Sequence, residues 1–100
     1  MRVIALKHIR DFCHEHPRAS QALLSWAEEA RHASWRTPHD IKQHYRTASF
    51  LGNNRVVFNI KGNEYRLVVA VAYRFHAVYV KFIGTHAAYD AIDALTVEIE

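Results

Sequence analysis

Five side chains between positions 55 and 89 could act together on a phosphate group. Arg55 and Arg66 fall on two predicted strands joined by a short turn, and Lys61 lies beside that turn. His86 follows the next predicted strand, and Tyr89 comes three residues later. Fixed cations stabilise a phosphate as its charge builds, and histidine and tyrosine side chains can transfer protons. This set fits cleavage of RNA by its own 2′-hydroxyl group, which requires a base, an acid and cations but no metal ion.

Other chemistries lack the residue patterns they need. The eight histidines include no HExxH motif, and His39 and His44 are five residues apart, which keeps them off a shared helix face. The one cysteine, Cys13, is expected to be a buried apolar residue of a helix. The sequence contains neither a GxSxG motif nor a glycine-rich phosphate loop. We therefore expect neither a functional metal site nor a cofactor.

Charge is unevenly distributed along the chain. The sequence has 13 Lys and Arg residues against 10 Asp and Glu, but residues 87–100 hold four of the acids and none of the bases. Residues 1–86 therefore carry a net charge of +7, which suits an acidic or phosphate-bearing partner. A solvated basic surface that only keeps the protein soluble is the alternative. Because we find neither a membrane-spanning apolar run nor a signal peptide, we expect a cytoplasmic protein without a membrane partner.

The elements that must position these side chains form one α+β domain over residues 1–100. Apolar residues at helical spacing predict helices over about 6–16 and 18–31. Thr37, followed by a proline and then an acid at the third position after it, predicts the capped start of a short helix that ends near His44. Together the first two helices predict a hairpin that covers one face of a sheet.

Alternating apolar residues predict that sheet. Gly62 and Asn63 are expected to supply the positive φ angles of a hairpin turn between its two long strands. The uncovered face should be shallow in the middle, with Arg66 and Arg74 at its two ends. The expected strands are 48–51, 55–60, 65–74 and 78–84, all antiparallel, with 2–5 as a further candidate and 87–94 as a closing helix.

Two segments of the chain carry a family resemblance. The sequences RVVFNIKGNEYRLVVAVAY at 55–73 and YVKFIGTHAAYDAID at 79–93 closely resemble the HigB toxins of bacterial type II toxin–antitoxin systems, within the RelE-like superfamily. The N-terminal helices fit as well, so the resemblance extends over essentially the whole chain. It implies a RelE-like fold, in which an N-terminal helical hairpin packs on a twisted antiparallel sheet that ends in a short C-terminal helix.

The resemblance also implies an activity and partners. The protein would be a ribosome-dependent endoribonuclease that cuts mRNA in the ribosomal A site without a metal ion. Its partner would be a HigA-type helix-turn-helix antitoxin that binds the toxin and represses their shared operon. Operator DNA would then be contacted only through the antitoxin.

Residue roles follow from the same resemblance. Arg55 corresponds to the arginine that RelE-like toxins carry on a middle strand, and Tyr89 lies near their tyrosine. His86 stands where a second arginine would be, so a group that can change charge replaces a fixed charge, and its role as acid or base stays open. With Arg66, these residues are the expected catalytic set. The side chains expected to bind RNA are Lys61, Asn63, Arg74, Lys81 and Arg46.

Two other functions stay open on the sequence alone. The same basic face could belong to a non-catalytic module that binds RNA or the ribosome. It could also bind only a protein partner, in which case His86 would be a helix cap and Tyr89 a core aromatic. An alanine at position 86 would abolish the activity of a nuclease and leave that of a binding module unchanged.

Overall fold

Three helices precede most of a five-stranded sheet in residues 1–99, which are the residues described by this computed structural model. Glu100, counted above in the acidic tail, lies outside the described residues. The elements are β1 (Arg2–Ile4), α1 (Leu6–Glu15), α2 (Pro17–His32), α3 (Pro38–His44), β2 (Ser49–Phe50), β3 (Arg55–Ile60), β4 (Tyr65–Ala72), a 3₁₀-helix (Tyr73–Phe75), β5 (Ala77–Thr85) and α4 (His86–Asp90).

The sheet has the strand order β1-β5-β4-β3-β2, and it is mixed rather than wholly antiparallel. Strands β2 to β5 pair antiparallel with their neighbours, but β1 pairs parallel with β5. The prediction of an antiparallel sheet is therefore wrong at this edge. Tight hairpins force antiparallel pairing, whereas the long helical connection after β1 lets that strand run in either direction.

The core lies between the sheet and the helical hairpin of α1 and α2. In β3, Val56, Phe58 and Ile60 are buried against the helices as predicted, but Arg55 and Val57 of the other face are buried as well. The Phe58 ring centroid lies 5.2 Å from that of Trp26 and 6.2 Å from that of Trp35. Large aromatic rings at the centre of this layer fix the distance between the helices and the sheet.

Several predicted boundaries move in the structure. Strand β4 ends at Ala72, and a 3₁₀-helix follows, so Arg74 is not on the sheet. Helix α4 stops at Asp90 instead of near position 94, and the Asp93 carboxylate accepts a hydrogen bond from the Leu95 amide in a turn just beyond. Strand β2 is two residues long instead of four. Local propensity in these short segments is weak, so tertiary contacts decide where they end.

The hairpin turn after β3 has the predicted place but a different residue in the left-handed region. Gly62 has a φ of 62°, as expected, and the second positive angle belongs to Lys61 at 53° rather than to Asn63. Asn63 instead uses its side chain as a hydrogen-bond acceptor within the same turn.

The start of α3 is a capping box, as predicted. The Thr37 hydroxyl accepts a hydrogen bond from the Asp40 amide, and the Asp40 carboxylate accepts one from the Thr37 amide. Hydrogen bonds from the backbone amides of Arg36 and Thr37 hold the pKa of Asp40 below its usual range. The carboxylate is therefore charged at neutral pH, where it also favours the helix N-terminus.

We expect Thr37→Ala to lower the free energy of unfolding by about 1 kcal/mol, because one reciprocal cap bond is lost. Thr37→Ser keeps the hydroxyl and should remain close to the wild type. Urea unfolding followed by circular dichroism measures both variants. Equal stabilities for the alanine and serine variants would show that the cap contributes nothing to folding.

Candidate functional site

The register of the sheet sets where the predicted site residues lie. Arg66 of β4 is opposite Asn59 of β3 and Gly84 of β5. Arg55 is opposite Ala70, four residues further along β4. Four residues of strand span about 13 Å. The two arginines therefore lie on one face of the sheet but near opposite ends, which is not the single cluster that the sequence suggested.

Arg66 belongs to the end of the sheet that carries the β3–β4 turn. Its Nη2 donates to Asn63 Oδ1 at 2.6 Å, and its Nη1 donates to the carbonyls of Asn63 and Tyr65, both at 3.2 Å. Its guanidinium carbon lies 5.9 Å from the centroid of the Tyr89 ring. At this distance the cation is attracted to the ring face. The turn and α4 thus hold a partly exposed guanidinium in place.

His86 is the first residue of α4 and lies at the same end of the sheet. Its amide donates to the Glu64 carbonyl at 3.0 Å, which joins the helix to the β3–β4 turn. Its Nδ1 lies 3.2 Å from Asp90 Oδ2, one helical turn away, and its side chain is 44% exposed. Because Asp90 occupies Nδ1, Nε2 is the ring atom left for a ligand. The structure therefore brings together three of the four predicted catalytic residues: Arg66, His86 and Tyr89.

Gly84 permits the close approach of α4 to the sheet. A Cβ atom at this position would lie 2.5 Å from Phe82 Cζ and 3.3 Å from the Cβ of Ala88. The Thr85 hydroxyl caps the helix by accepting a hydrogen bond from the Ala88 amide at 3.1 Å. A bare glycine beside a capped helix start thus sets the position of Tyr89 over Arg66.

Arg55 is in a different environment, because the segment that follows α4 covers it. Its side chain is only 6% exposed. Nη1 donates to the carbonyls of Ala94 at 3.1 Å and Val97 at 2.6 Å, and Nη2 donates to Glu98 Oε2 at 2.7 Å. The predicted catalytic role of Arg55 would require at least Glu98 to move.

Lys81 shares the carboxylate that binds Arg55. Its Nζ donates to Glu98 Oε1 at 2.8 Å. The hydrogen bond from Lys81, followed by the contacts of Arg55, holds the pKa of Glu98 below its usual range although partial desolvation acts in the other direction. A lowered carboxyl pKa means that the contact is present at neutral pH and is lost as the pH falls through that pKa. Lys81 occupies the irregular position where the β4–β5 register shifts, which the sequence did not reveal.

The other residues expected to bind RNA are dispersed. Lys61 is exposed in the β3–β4 turn near the Arg66 end, and Asn63 contacts Arg66 directly. Arg46 follows α3 and lines an open hollow of about 410 Å³, which lies beyond the β2–β3 side of the sheet. Arg74 is exposed in the connection between β4 and β5, at the opposite end from the β3–β4 turn. Of this set, Asn63 contacts a catalytic candidate, whereas Lys61 lines a hollow with Arg18, Gln21 and Ser25 of α2.

The chain contains further groups that could suggest other sites. Within residues 1–99, no three His, Cys, Asp or Glu side chains converge as metal ligands. Cys13 is buried, as predicted, and burial raises the pKa of its thiol. His16 stacks on Phe12 with ring centroids 4.2 Å apart, so it is part of the packing around α1. In the described part of the chain, no helix is both long and apolar enough to cross a membrane.

Two acidic residues that contact the predicted site residues were not predicted from the sequence. Asp90 orients His86, and its position four residues later in a helix was visible in the sequence. Glu98 covers Arg55 across a gap of 43 residues, and only the opposite charges of the tail and the sheet gave any sign of it. Charge asymmetry shows that a contact is favourable but not which side chains make it.

The fold is that of a RelE-like α+β domain, with helices followed by a five-stranded mixed sheet and a short C-terminal helix. The chain belongs to the HigB toxin family, described as the RelE-like toxic component of a toxin–antitoxin system, whose sequence model matches residues 19–92. It is 24% identical over 97 residues to the mRNA interferase toxin HigB of Escherichia coli strain K12, across 95% of this chain and 93% of that protein. The mRNA interferases HigB of Escherichia coli O157:H7 and Shigella flexneri match to the same extent. The family and the fold class expected from the sequence are confirmed.

The two arginines should differ in their effect on stability. Arg55→Ala leaves two carbonyls and a carboxylate without their donor, so we expect it to lower the free energy of unfolding by about 2–4 kcal/mol. Arg66→Ala removes only contacts within a surface turn and should cost about 1 kcal/mol or less. Urea unfolding of both variants measures the difference. Equal losses would contradict the burial of Arg55 beneath residues 94–98.

Proposed function

We propose that this protein is a cytoplasmic endoribonuclease that cleaves mRNA in the ribosomal A site and thereby inhibits translation. Membership in the HigB toxin family supports this, as do relatives that are named mRNA interferases. The observation that carries the proposal is the partly exposed group of Arg66, His86 and Tyr89 beside the β3–β4 turn, called the exposed group below. A fixed cation, an imidazole and a phenol can supply the charge stabilisation and the proton transfers that metal-independent RNA cleavage requires.

The proposed reaction is a transfer within the RNA. The 2′-oxygen attacks the adjacent phosphorus, which forms an O2′–P bond and breaks the P–O5′ bond. A base takes the proton of the 2′-hydroxyl, and an acid gives a proton to the departing 5′-oxygen. The products are a 2′,3′-cyclic phosphate and a 5′-hydroxyl, so the step consumes no water, metal ion or cofactor.

Each residue of the exposed group has a role in this proposal. Arg66 stabilises the charge that builds on the phosphate oxygens, and its bonds to Asn63 pre-orient the guanidinium. His86 and Tyr89 carry the two proton transfers, with Asp90 holding His86 so that Nε2 faces the RNA. Lys61 lies in the β3–β4 turn beside α2 and contacts the RNA backbone outside this group, as a point charge.

Arg55 is outside the reacting group in this proposal. The register of β3 and β4 places its Cα about 13 Å along the sheet from that of Arg66, and its guanidinium binds residues 94–98 instead of the β3–β4 turn. The segment that ends in Glu98 also covers its guanidinium. We therefore assign to Arg66 the catalytic role that the family resemblance implied for Arg55.

The proposed partner of the toxin is an antitoxin of the HigA type. The description of the family as one component of a toxin–antitoxin system supports it. The antitoxin would carry the helix-turn-helix that binds operator DNA, so the toxin would meet DNA only through it. The basic face would then be left for RNA and the ribosome.

Variants of the exposed group test the proposal. We expect His86→Ala to slow cleavage by about 100-fold to 10,000-fold, because a proton transfer is lost. Arg66→Ala should slow it by about 100-fold to 1,000-fold through loss of charge stabilisation. Both should also fail to arrest growth when expressed without the antitoxin. The measurement is the single-turnover rate of cleavage of a defined mRNA on purified ribosomes.

His14→Ala is the matched control, because His14 is exposed on α1 in the helical layer behind the sheet. Its cleavage rate should equal that of the wild type. Undiminished cleavage by both site variants would refute the proposed residues. A His86→Ala protein that binds ribosomes and blocks translation as strongly as the wild type, with no cut mRNA in either case, would indicate a non-catalytic binding module.

A further inference from the structure

Arg55, which the segment after α4 covers, makes contacts that have no role in the proposed reaction. Arg55 is the one charged residue that is buried in residues 1–99. Its Nη1 is engaged by two backbone carbonyls, whereas its Nη2 is bound only by the side chain of Glu98. That carboxylate is 58% exposed, so it lies at the surface and closes over a buried cation.

Two cations bind the same carboxylate through separate oxygens. Arg55 Nη2 donates to Oε2 at 2.7 Å, and Lys81 Nζ donates to Oε1 at 2.8 Å. An arginine and a lysine that each bind one oxygen of an anion form a site that suits a phosphate equally well. The cations come from β3 and β5, so the sheet fixes the positions of their backbones whether or not Glu98 is there.

We propose that Arg55 and Lys81 form a second phosphate-binding subsite for single-stranded RNA, which Glu98 occupies in the free protein. The ligand class rests on the proposed function, because RNA is the anion that the exposed group would cleave. Arg55 pairs with β4 about 13 Å along the sheet from Arg66, and Lys81 lies at the register shift between Val68 and Val69, so the subsite is offset from Arg66 and is assigned a phosphate other than the scissile one.

The geometry lets RNA replace Glu98 with little rearrangement. The Ala94 and Val97 carbonyls bind Nη1 and can keep Arg55 in place when the carboxylate leaves Nη2. The phosphate then takes over the bonds of Oε1 and Oε2. The family match at residues 19–92 includes both cations but ends before Glu98. In this proposal, the Glu98 carboxylate competes with RNA for the two cations.

The test compares Glu98→Gln with Glu28→Gln, which changes the net charge equally at an exposed position of α2. The probe is a short 2′-O-methyl RNA oligonucleotide, which cannot be cleaved by 2′-hydroxyl attack, and fluorescence anisotropy gives its affinity over a series of salt concentrations. We expect Glu98→Gln to bind about threefold to fivefold more tightly than the wild type, the size of effect typical of one exposed ion pair. The slope of the logarithm of its binding constant against the logarithm of the salt concentration should become steeper by about 0.7 for each added phosphate contact.

The double variant Lys81→Gln/Glu98→Gln should lose the gain in affinity, because one of the two cations is gone. A matched protein of the same net charge, Lys7→Gln/Glu98→Gln, should keep the gain, because Lys7 is exposed on α1. The proposal is overturned if Glu98→Gln binds no more tightly than Glu28→Gln, or if the gain persists in Lys81→Gln/Glu98→Gln. Near-native unfolding midpoints by circular dichroism establish that the variants are folded.

The affinity measurement tests the subsite separately from the cleavage reaction. If the His86 and Arg66 variants cleave normally while Glu98→Gln gains affinity, the assigned reacting group fails and the second subsite stands. If cleavage depends on His86 but Glu98→Gln gains nothing, the proposed function stands and the subsite fails.

Discussion

The pairing of Arg66 with Gly84 across β4 and β5 is the constraint on which the candidate site depends. Because Gly84 has no side chain, α4 can begin close to the sheet, with Ala88 near the glycine. The helix then carries Tyr89 over the guanidinium of Arg66. A shift of this register by one residue would turn Arg66 toward the helical hairpin and dissolve the group, because alternate residues of a strand face opposite sides.

The positive charges at the two ends of this sheet face have different partners. At the end that carries the β3–β4 turn, Arg66 is held by neutral partners and by an aromatic ring, so its charge remains available to a ligand. At the other end, Glu98 binds both Arg55 and Lys81, so one negative charge offsets part of two positive charges. In the described residues, Arg66 therefore carries its charge without a bound carboxylate, whereas Arg55 and Lys81 share one.

Much of the fold could be predicted from local patterns. Alternation in β3 identified the face that Phe58 buries, and Thr37 with Asp40 marked the start of α3, because these signals lie within a few residues of one another. The parallel pairing of β1 and the burial of Arg55 could not be predicted in this way. Both depend on segments far apart in the chain, and Glu98 reaches Arg55 only because the three-dimensional path of the tail crosses the sheet. The expected single cluster is accordingly divided in the structure, with Arg66, His86 and Tyr89 at one end of the sheet face and Arg55 near the other.

The central claim is that the exposed group promotes attack by the RNA's own 2′-hydroxyl. The most direct measurement replaces the nucleotide on the 5′ side of a mapped cut with its 2′-deoxy form, in an mRNA bound to ribosomes with the purified toxin. Cleavage at this bond should disappear, and the unmodified mRNA should yield 2′,3′-cyclic phosphate and 5′-hydroxyl ends. Continued cleavage of the deoxy-substituted bond, or fragments with 5′-phosphate ends, would contradict the central claim.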